Sequence, residues 1–120
     1  MTDLTDYGEN QCAANFAAVA TLHVSLHTAD PGETGASNEL SGDGYARVPA
    51  AFTATGSSAD NDADVDWAAV TVNKGTVTHI SIWDALSGGN CWWKGALSAS
   101  FDWPGGTYSM AAGTIVVNFD

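Results

Sequence analysis

Short segments in which apolar and polar residues alternate, separated by turn-forming residues, dominate the sequence after residue 20. In residues 21–28 every second residue is apolar, as expected for a strand with one buried and one solvent-facing side. Similar segments follow, with Gly- or Pro-rich turns about every 8 to 12 residues. This spacing predicts a mainly β fold, an antiparallel β-sandwich or small barrel of about seven to eight strands.

The turn signals set the predicted boundaries. A loop rich in Gly, Pro, Ser and acidic residues covers 29–44, a turn covers 56–61, and Ser-Gly-Gly-Asn at 87–90 closes a hairpin. The predicted strands are 21–28, 45–55, 62–67, 76–83, 91–97, 107–110 and 114–119.

The first twenty residues have a different period. Leu4, Tyr7, Cys12, Phe16 and Val19 recur at helical spacing, which predicts a short N-terminal helix over 3–20, weakened at its glycine. A chain of 120 residues accommodates a single domain. We therefore expect one domain, 1–120, with a helical arm at 1–20 and the sandwich or barrel at 21–120.

Charge restricts the possible partners. The chain has fourteen acidic residues and three basic ones, Arg47, Lys74 and Lys94, which gives a formal net charge of −11. Binding to DNA, RNA or an anionic membrane needs several cations on one face, so we expect neither nucleic acid nor membrane as a partner. The N-terminal residues also lack the basic start and apolar run of a signal peptide, so we expect no export by that route.

Catalysis is not expected. The sequence has no GxSxG, GxxxxGK, GxGxxG or HExxH motif, and no cofactor is implied. Cys12 and Cys91 lack CxxC spacing; one disulfide is possible, but two free thiols are the favoured interpretation.

Two patterns raise the question of a metal. His23 and His27 are four residues apart, but on a strand this spacing corresponds to about 13 Å, so we expect two separate, solvent-facing side chains. Acidic residues at 60, 62, 64 and 66 begin like a calcium loop. Val65 and Thr71 occupy the positions that require Gly and Glu. We therefore predict an acidic strand face without metal; the calcium alternative would use Asp60, Asp62 and Asp64.

Aromatic residues are the main candidates for contact with other molecules. Their number exceeds what a small core with few aliphatic residues needs, which predicts a homo-oligomer, with a trimer favoured. Tryptophans could equally stack on sugar rings. The candidate contact residues are Trp92, Trp93, Trp103, Tyr45, Arg47 and Phe16.

Four segments together resemble a family of small tailed-bacteriophage virion proteins, usually labelled tail fibre proteins. They are LHTADPGE at 26–33, ELSGDGYAR at 39–47, KGTVTHISIWDA at 74–85 with GGN at 88–90, and the closing AGTI at 112–115 with Asp120. The resemblance covers nearly the whole chain and implies a phage structural protein. It brings no catalytic residues with it.

We therefore expect a non-enzymatic component of the virion, assembled in the host cytoplasm. An acidic exterior suits a capsid decoration (cement) protein on the outer head surface, bound to the major capsid protein or other virion proteins. The alternative is a tail or tail fibre component that contacts the host surface, with carbohydrate as one ligand. A small enzyme or a calcium-dependent sugar binder ranks below both.

Overall fold

A computed structural model describes residues 4–119, which form one helix and nine strands. The helix, α1, spans Asp6–Ala17. The strands are β1 (Leu22–His27), β2 (Val48–Ala50), β3 (Phe52–Thr55), β4 (Ser58–Asn61), β5 (Val65–Val70), β6 (Thr76–Trp83), β7 (Cys91–Asp102), β8 (Gly106–Met110) and β9 (Val116–Asn118).

The strands form three antiparallel sheets, which confirms the predicted mainly β, antiparallel fold. The largest has the order β2-β1-β6-β7, the second β3-β4-β9, and the third consists of β5 and β8. Several strand boundaries differ from the prediction, and two of the differences change the topology. Segment 45–55 divides at Ala51 into two strands that join different sheets, and the expected turn at 56–61 contains β4.

One apolar core joins the three sheets to the helix. Val24 and Ile82 from the largest sheet and Val117 from β9 are completely buried within it. Helix α1 packs on β3 and β4, and the fully buried ring of Phe16 lies 5.2 Å from the ring of Phe52 and 5.5 Å from that of Phe119. The N-terminal helix is therefore part of this core.

The helix is shorter than the predicted segment 3–20, and its N-terminus has a cap. The Thr5 side chain accepts a hydrogen bond at 3.2 Å from the backbone N–H of Gly8, a typical N-cap interaction. The glycine therefore lies in the capped first turn, and the helix is not broken there. Residue 3, where the prediction began, lies outside the described residues.

Strand β1 is buried on both of its faces, which corrects the expected solvent-facing histidines. His23 is 9% exposed and His27 is not exposed at all. The loop over 29–44 folds back across the face of β1 that carries the histidines. Its Leu40 N–H donates to the Leu26 carbonyl at 3.0 Å. Gly35 brings the loop so close to Cys91 that a Cβ would lie 2.4 Å from its sulfur, so only glycine fits there.

Candidate functional site

A buried polar network lies between β1, β6 and this loop. The Nδ1 atom of His27 is 2.8 Å from the Ser37 carbonyl, which can only accept, so Nδ1 carries the proton. Nε2 is then an acceptor, 2.7 Å from the Ser81 hydroxyl, which donates to it. Ser81 Oγ also accepts from Trp83 Nε1 at 2.6 Å and lies next to the Ser25 hydroxyl.

Although this network pairs histidine with serine, its position does not suit nucleophilic catalysis. The side chains of Ser25, His27 and Ser81 are all completely buried, so a substrate has no access to either hydroxyl. Burial lowers the pKa of His27, which keeps the ring neutral at pH 7. The network therefore fixes the loop on the sheet.

Arg47 extends this network and is held within the chain. Its Nε and Nη2 atoms each donate to the Glu39 carboxylate at 3.0 Å, and the guanidinium lies 4.0 Å from the centre of the Trp83 ring. Nη1 donates to the carbonyls of Ala85 and Gly88 at 3.2 and 3.0 Å. With 9% of its side chain exposed, Arg47 joins the 29–44 loop to the turn that follows β6.

Tyr45 is a second candidate contact residue with internal partners. Its hydroxyl donates to Glu39 Oε2 at 3.1 Å and accepts from the Leu26 N–H at 3.0 Å. Burial is the main cause of the raised pKa of Tyr45, so the phenol stays protonated and can keep donating.

The other aromatic candidates divide between core and surface. Phe16 and Trp103, 2% exposed, lie in the core, and Trp103 Nε1 donates to the Gly106 carbonyl at 3.0 Å. Trp93 is half-buried against the core, whereas Trp92 is 43% exposed. Of the six residues named from sequence, Trp92 is therefore the one that presents a large apolar surface to solvent.

The acidic segment does not form the expected single strand face. Asp60 belongs to β4 and Asp66 to β5, with a turn between them. Asp62 accepts from the Thr53 hydroxyl at 2.5 Å, and Asp64 from the Ala112 N–H at 3.0 Å. Across residues 4–119, no group of three or more His, Cys, Asp or Glu side chains is arranged to hold a metal ion.

The three cationic side chains all have internal partners. Besides Arg47, Lys94 forms an ion pair with Asp30 at 2.8 Å, and Lys74 Nζ donates to the carbonyl of Gly42 at 2.7 Å. Both cysteines, at 12 and 91, are free thiols. All three cationic side chains thus contact loops of the same chain.

A groove of about 400 Å³ lies where the three sheets meet. Strands β7, β8 and β9 all contribute to it, and in the part of the chain that the structure describes each is hydrogen-bonded to a strand on one side only. Its lining carries no charged side chain, in contrast to the acidic chain as a whole. The lining residues include Ile80, Trp93, Leu97, Tyr108, Met110 and Ile115.

These features define a class of protein: a small, strongly acidic, antiparallel β domain that offers open strand edges and an uncharged groove for contact. Residues 4–118 match the family described as Podophage GP4 fiber I protein gp80, and the chain belongs to that family. It is a structural protein of the phage virion, which confirms the resemblance seen in the sequence. A search of the curated proteins finds no match to the chain.

The part of the chain that the structure describes has no helix long and apolar enough to cross a membrane.

Sequence analysis missed two features, the His27–Ser81 network and the full length of β7. For the first, the signal was polar residues alternating along β1 beside a long loop that could cover them. For the second, the signal was the continuation of an uncharged run past residue 97.

Proposed function

We propose that this protein is a structural component of the phage tail fibre, and that it works by contact with copies of itself and with other virion proteins. The family match over residues 4–118 carries this proposal, because the family description names a fiber protein. It favours the fibre role over the capsid decoration role that the charge first suggested.

The surface is consistent with a role in assembly. Because the three cations each have a partner within the chain, a contact between two copies of this acidic chain relies mainly on strand edges and uncharged surface. The twelve-residue strand β7 and the groove beside it supply both. The serine and histidine side chains of the buried network are enclosed, which supports a role without catalysis.

The test is the number and location of copies in purified particles. Quantitative mass spectrometry should give a few dozen copies per virion or fewer, and gold-labelled antibodies should mark the tail, because fibres are present in small symmetric sets. Hundreds of copies with label over the head would overturn the fibre proposal and favour decoration.

A second proposal, contact with host carbohydrate, is favoured by one observation. Trp92 is 43% exposed, and its Nε1 donates to Asp84 Oδ2 at 3.3 Å, so an aromatic face on which a sugar ring can stack lies beside a carboxylate that can accept from sugar hydroxyls. Glycan-array binding should be lost in Trp92→Ala and kept in Leu86→Ala, a control at another exposed apolar side chain. Equal binding by both variants would count against it.

A further inference from the structure

We propose that β7 pairs with β7 of a second copy, antiparallel and about a two-fold axis at Ser98, so that two sheets become one across a dimer interface. This deepens the proposed function, since it names the contact through which copies associate. The contact can nevertheless be measured on the isolated protein, without particles.

The first argument is the open edge of β7. The strand has twelve residues, Cys91–Asp102, and is the outer strand of its sheet; within residues 4–119 it pairs only with β6. Most strands are about 3–10 residues long, and an edge of this length presents a row of backbone donors and acceptors to any strand that approaches. Pairing with a second chain satisfies them.

The second argument is a break in the pairing between β6 and β7. Val77 lies opposite Phe101 and His79 opposite Ala96, so one residue of β6 faces the four β7 residues 97–100. The ladder between the two strands is therefore interrupted over this segment. Three of its side chains, Ser98, Ala99 and Ser100, are exposed and short, which lets another backbone come close.

The third argument is charge, and it selects the partner. Residues 95–101 are uncharged, with Lys94 directly before them and Asp102 directly after. In an antiparallel pair centred on Ser98, Lys94 lies opposite Asp102 of the partner subunit, and the same contact occurs twice by symmetry. A pair centred on either charged residue would instead bring like charges together.

The exposed faces agree with this register. Lys94, Ser98 and Asp102 are spaced by four residues along the strand and are all exposed. Residues directly opposite each other in an antiparallel pair project from the same face, so the two charges meet in solvent above the paired strands. Lys94 uses one donor on Asp30, and its ammonium group has others for Asp102 of the partner subunit.

Self-complementarity of this kind is a property of two-fold contacts between identical chains. Copies with a net charge of −11 repel one another over most of their surface, and the uncharged segment is where they can approach. The result is a dimer or another even-numbered assembly. The trimer expected from sequence would need a different surface.

Charge exchange on the full chain tests the register. At about 0.15 M salt, where the repulsion between net charges is largely screened, Lys94→Asp and Asp102→Lys each place like charges opposite one another, and each should weaken the dimer about tenfold or more in sedimentation equilibrium. The double variant K94D/D102K restores opposite charges and should recover the dimer. Because it still lacks the Lys94–Asp30 contact, recovery cannot come from intrachain effects.

Cross-linking tests the axis independently. Ser98→Cys places two thiols opposite each other, about 4.5–5.5 Å apart between Cα atoms, which suits a disulfide. It should form a covalent dimer under mild oxidation much faster than Ser87→Cys, a control in an exposed turn. Melting temperatures of all variants show whether each one folds.

Each of the following results would overturn the proposal: a chain that stays monomeric at high concentration, a double variant that fails to recover the dimer, or equal cross-linking at 98 and 87. A trimer that neither single variant weakens would do the same. None of these results bears on the copy number or location in particles, so the fibre role and the β7 pairing can fail separately.

Discussion

The Nε2 atom of His27 lies 2.7 Å from the hydroxyl oxygen of Ser81, across two paired strands and beneath a sixteen-residue loop at 29–44. Such a pair is common in hydrolases, where the hydroxyl faces a cleft. Here both side chains are completely buried. The contact therefore stabilises the folded chain, in a position that does not suit nucleophilic catalysis.

Removing the Ser81 hydroxyl should destabilise the fold. In Ser81→Ala, Trp83 Nε1 loses its buried acceptor, and His27 Nε2 keeps only the Ser25 hydroxyl, 3.0 Å away. A buried polar group left without a partner costs about 1–3 kcal/mol, so urea unfolding should show a loss of about that size. Ser109→Ala, at an exposed serine, is the control and should change little. Equal stability of the two variants would show that the network contributes nothing.

The stability should also depend on pH. Burial is the main cause that lowers the pKa of both His27 and His23 in the folded chain, while Glu39 opposes it at His27 and Arg47 reinforces it at both. Below the ordinary value of about 6.5, the unfolded chain binds more protons than the folded one, so the free energy of unfolding decreases as pH falls. Above that value it is fully retained.

Urea unfolding at a series of pH values between neutral and mildly acidic checks this sign. The wild-type free energy of unfolding should fall on acidification, and His27→Gln should reduce the slope, since it removes one of the two titrating groups. A slope that is unchanged in His27→Gln would assign the pH dependence to other groups.

The two ion pairs formed among the described residues should differ in their contribution to stability. The Arg47–Glu39 pair is nearly buried, with side chains 9% and 18% exposed, whereas Lys94 and Asp30 are exposed. Glu39→Gln leaves a nearly buried guanidinium without its counter-charge and should cost about 2–4 kcal/mol. Asp30→Asn, the matched control, should leave the free energy of unfolding almost unchanged. Similar losses in both variants would contradict this ranking.

Local sequence patterns predicted the strands well where neighbours along the chain decide the structure. The strand predicted at 76–83 matches β6 at both ends, and the predicted hairpin partner begins at residue 91, as β7 does. The Asp84 carboxylate accepts from the Asn90 N–H at 2.8 Å and closes the intervening turn, as its position before two glycines suggests.

Features that depend on distant segments were not predictable in this way. The alternation in β1 indicates one buried face, but covering the second face depends on where the 29–44 loop folds. Segment 45–55 divides at Ala51 because its first part pairs in one sheet and its second part in another. The open edge of β7 depends on which strands lack a second neighbour, and this is a property of the complete fold.

We predict that no metal is required for folding. Asp62 and Asp64 accept hydrogen bonds from Thr53 and from the Ala112 N–H, so two of the three proposed calcium ligands already have protein partners. A chelator should therefore leave the melting temperature unchanged. A rise of several degrees with millimolar calcium would contradict this, because a ligand that binds the folded state raises its stability.

Salt should strengthen association of this chain, although the proposed interface contains ion pairs. Two copies of charge −11 whose centres lie about 30 Å apart, close to the shorter dimensions of the chain, repel by about 6 kcal/mol at 0.01 M salt. At 0.1 M the Debye length falls to about 10 Å, and the repulsion falls to about 1 kcal/mol. Screening therefore removes far more repulsion than exposed pairs of Lys94 with Asp102 contribute.

The dissociation constant should accordingly decrease steeply as salt rises toward about 0.1 M, and change little above that concentration. Sedimentation equilibrium across this range measures it. In K94D/D102K the profile should be the same, because the net charge is unchanged and the pairs are only exchanged. A dissociation constant that instead increases steadily with salt, from the lowest concentration upward, would contradict this. It would mean that ion pairs, and not the uncharged segment of β7, provide most of the binding energy.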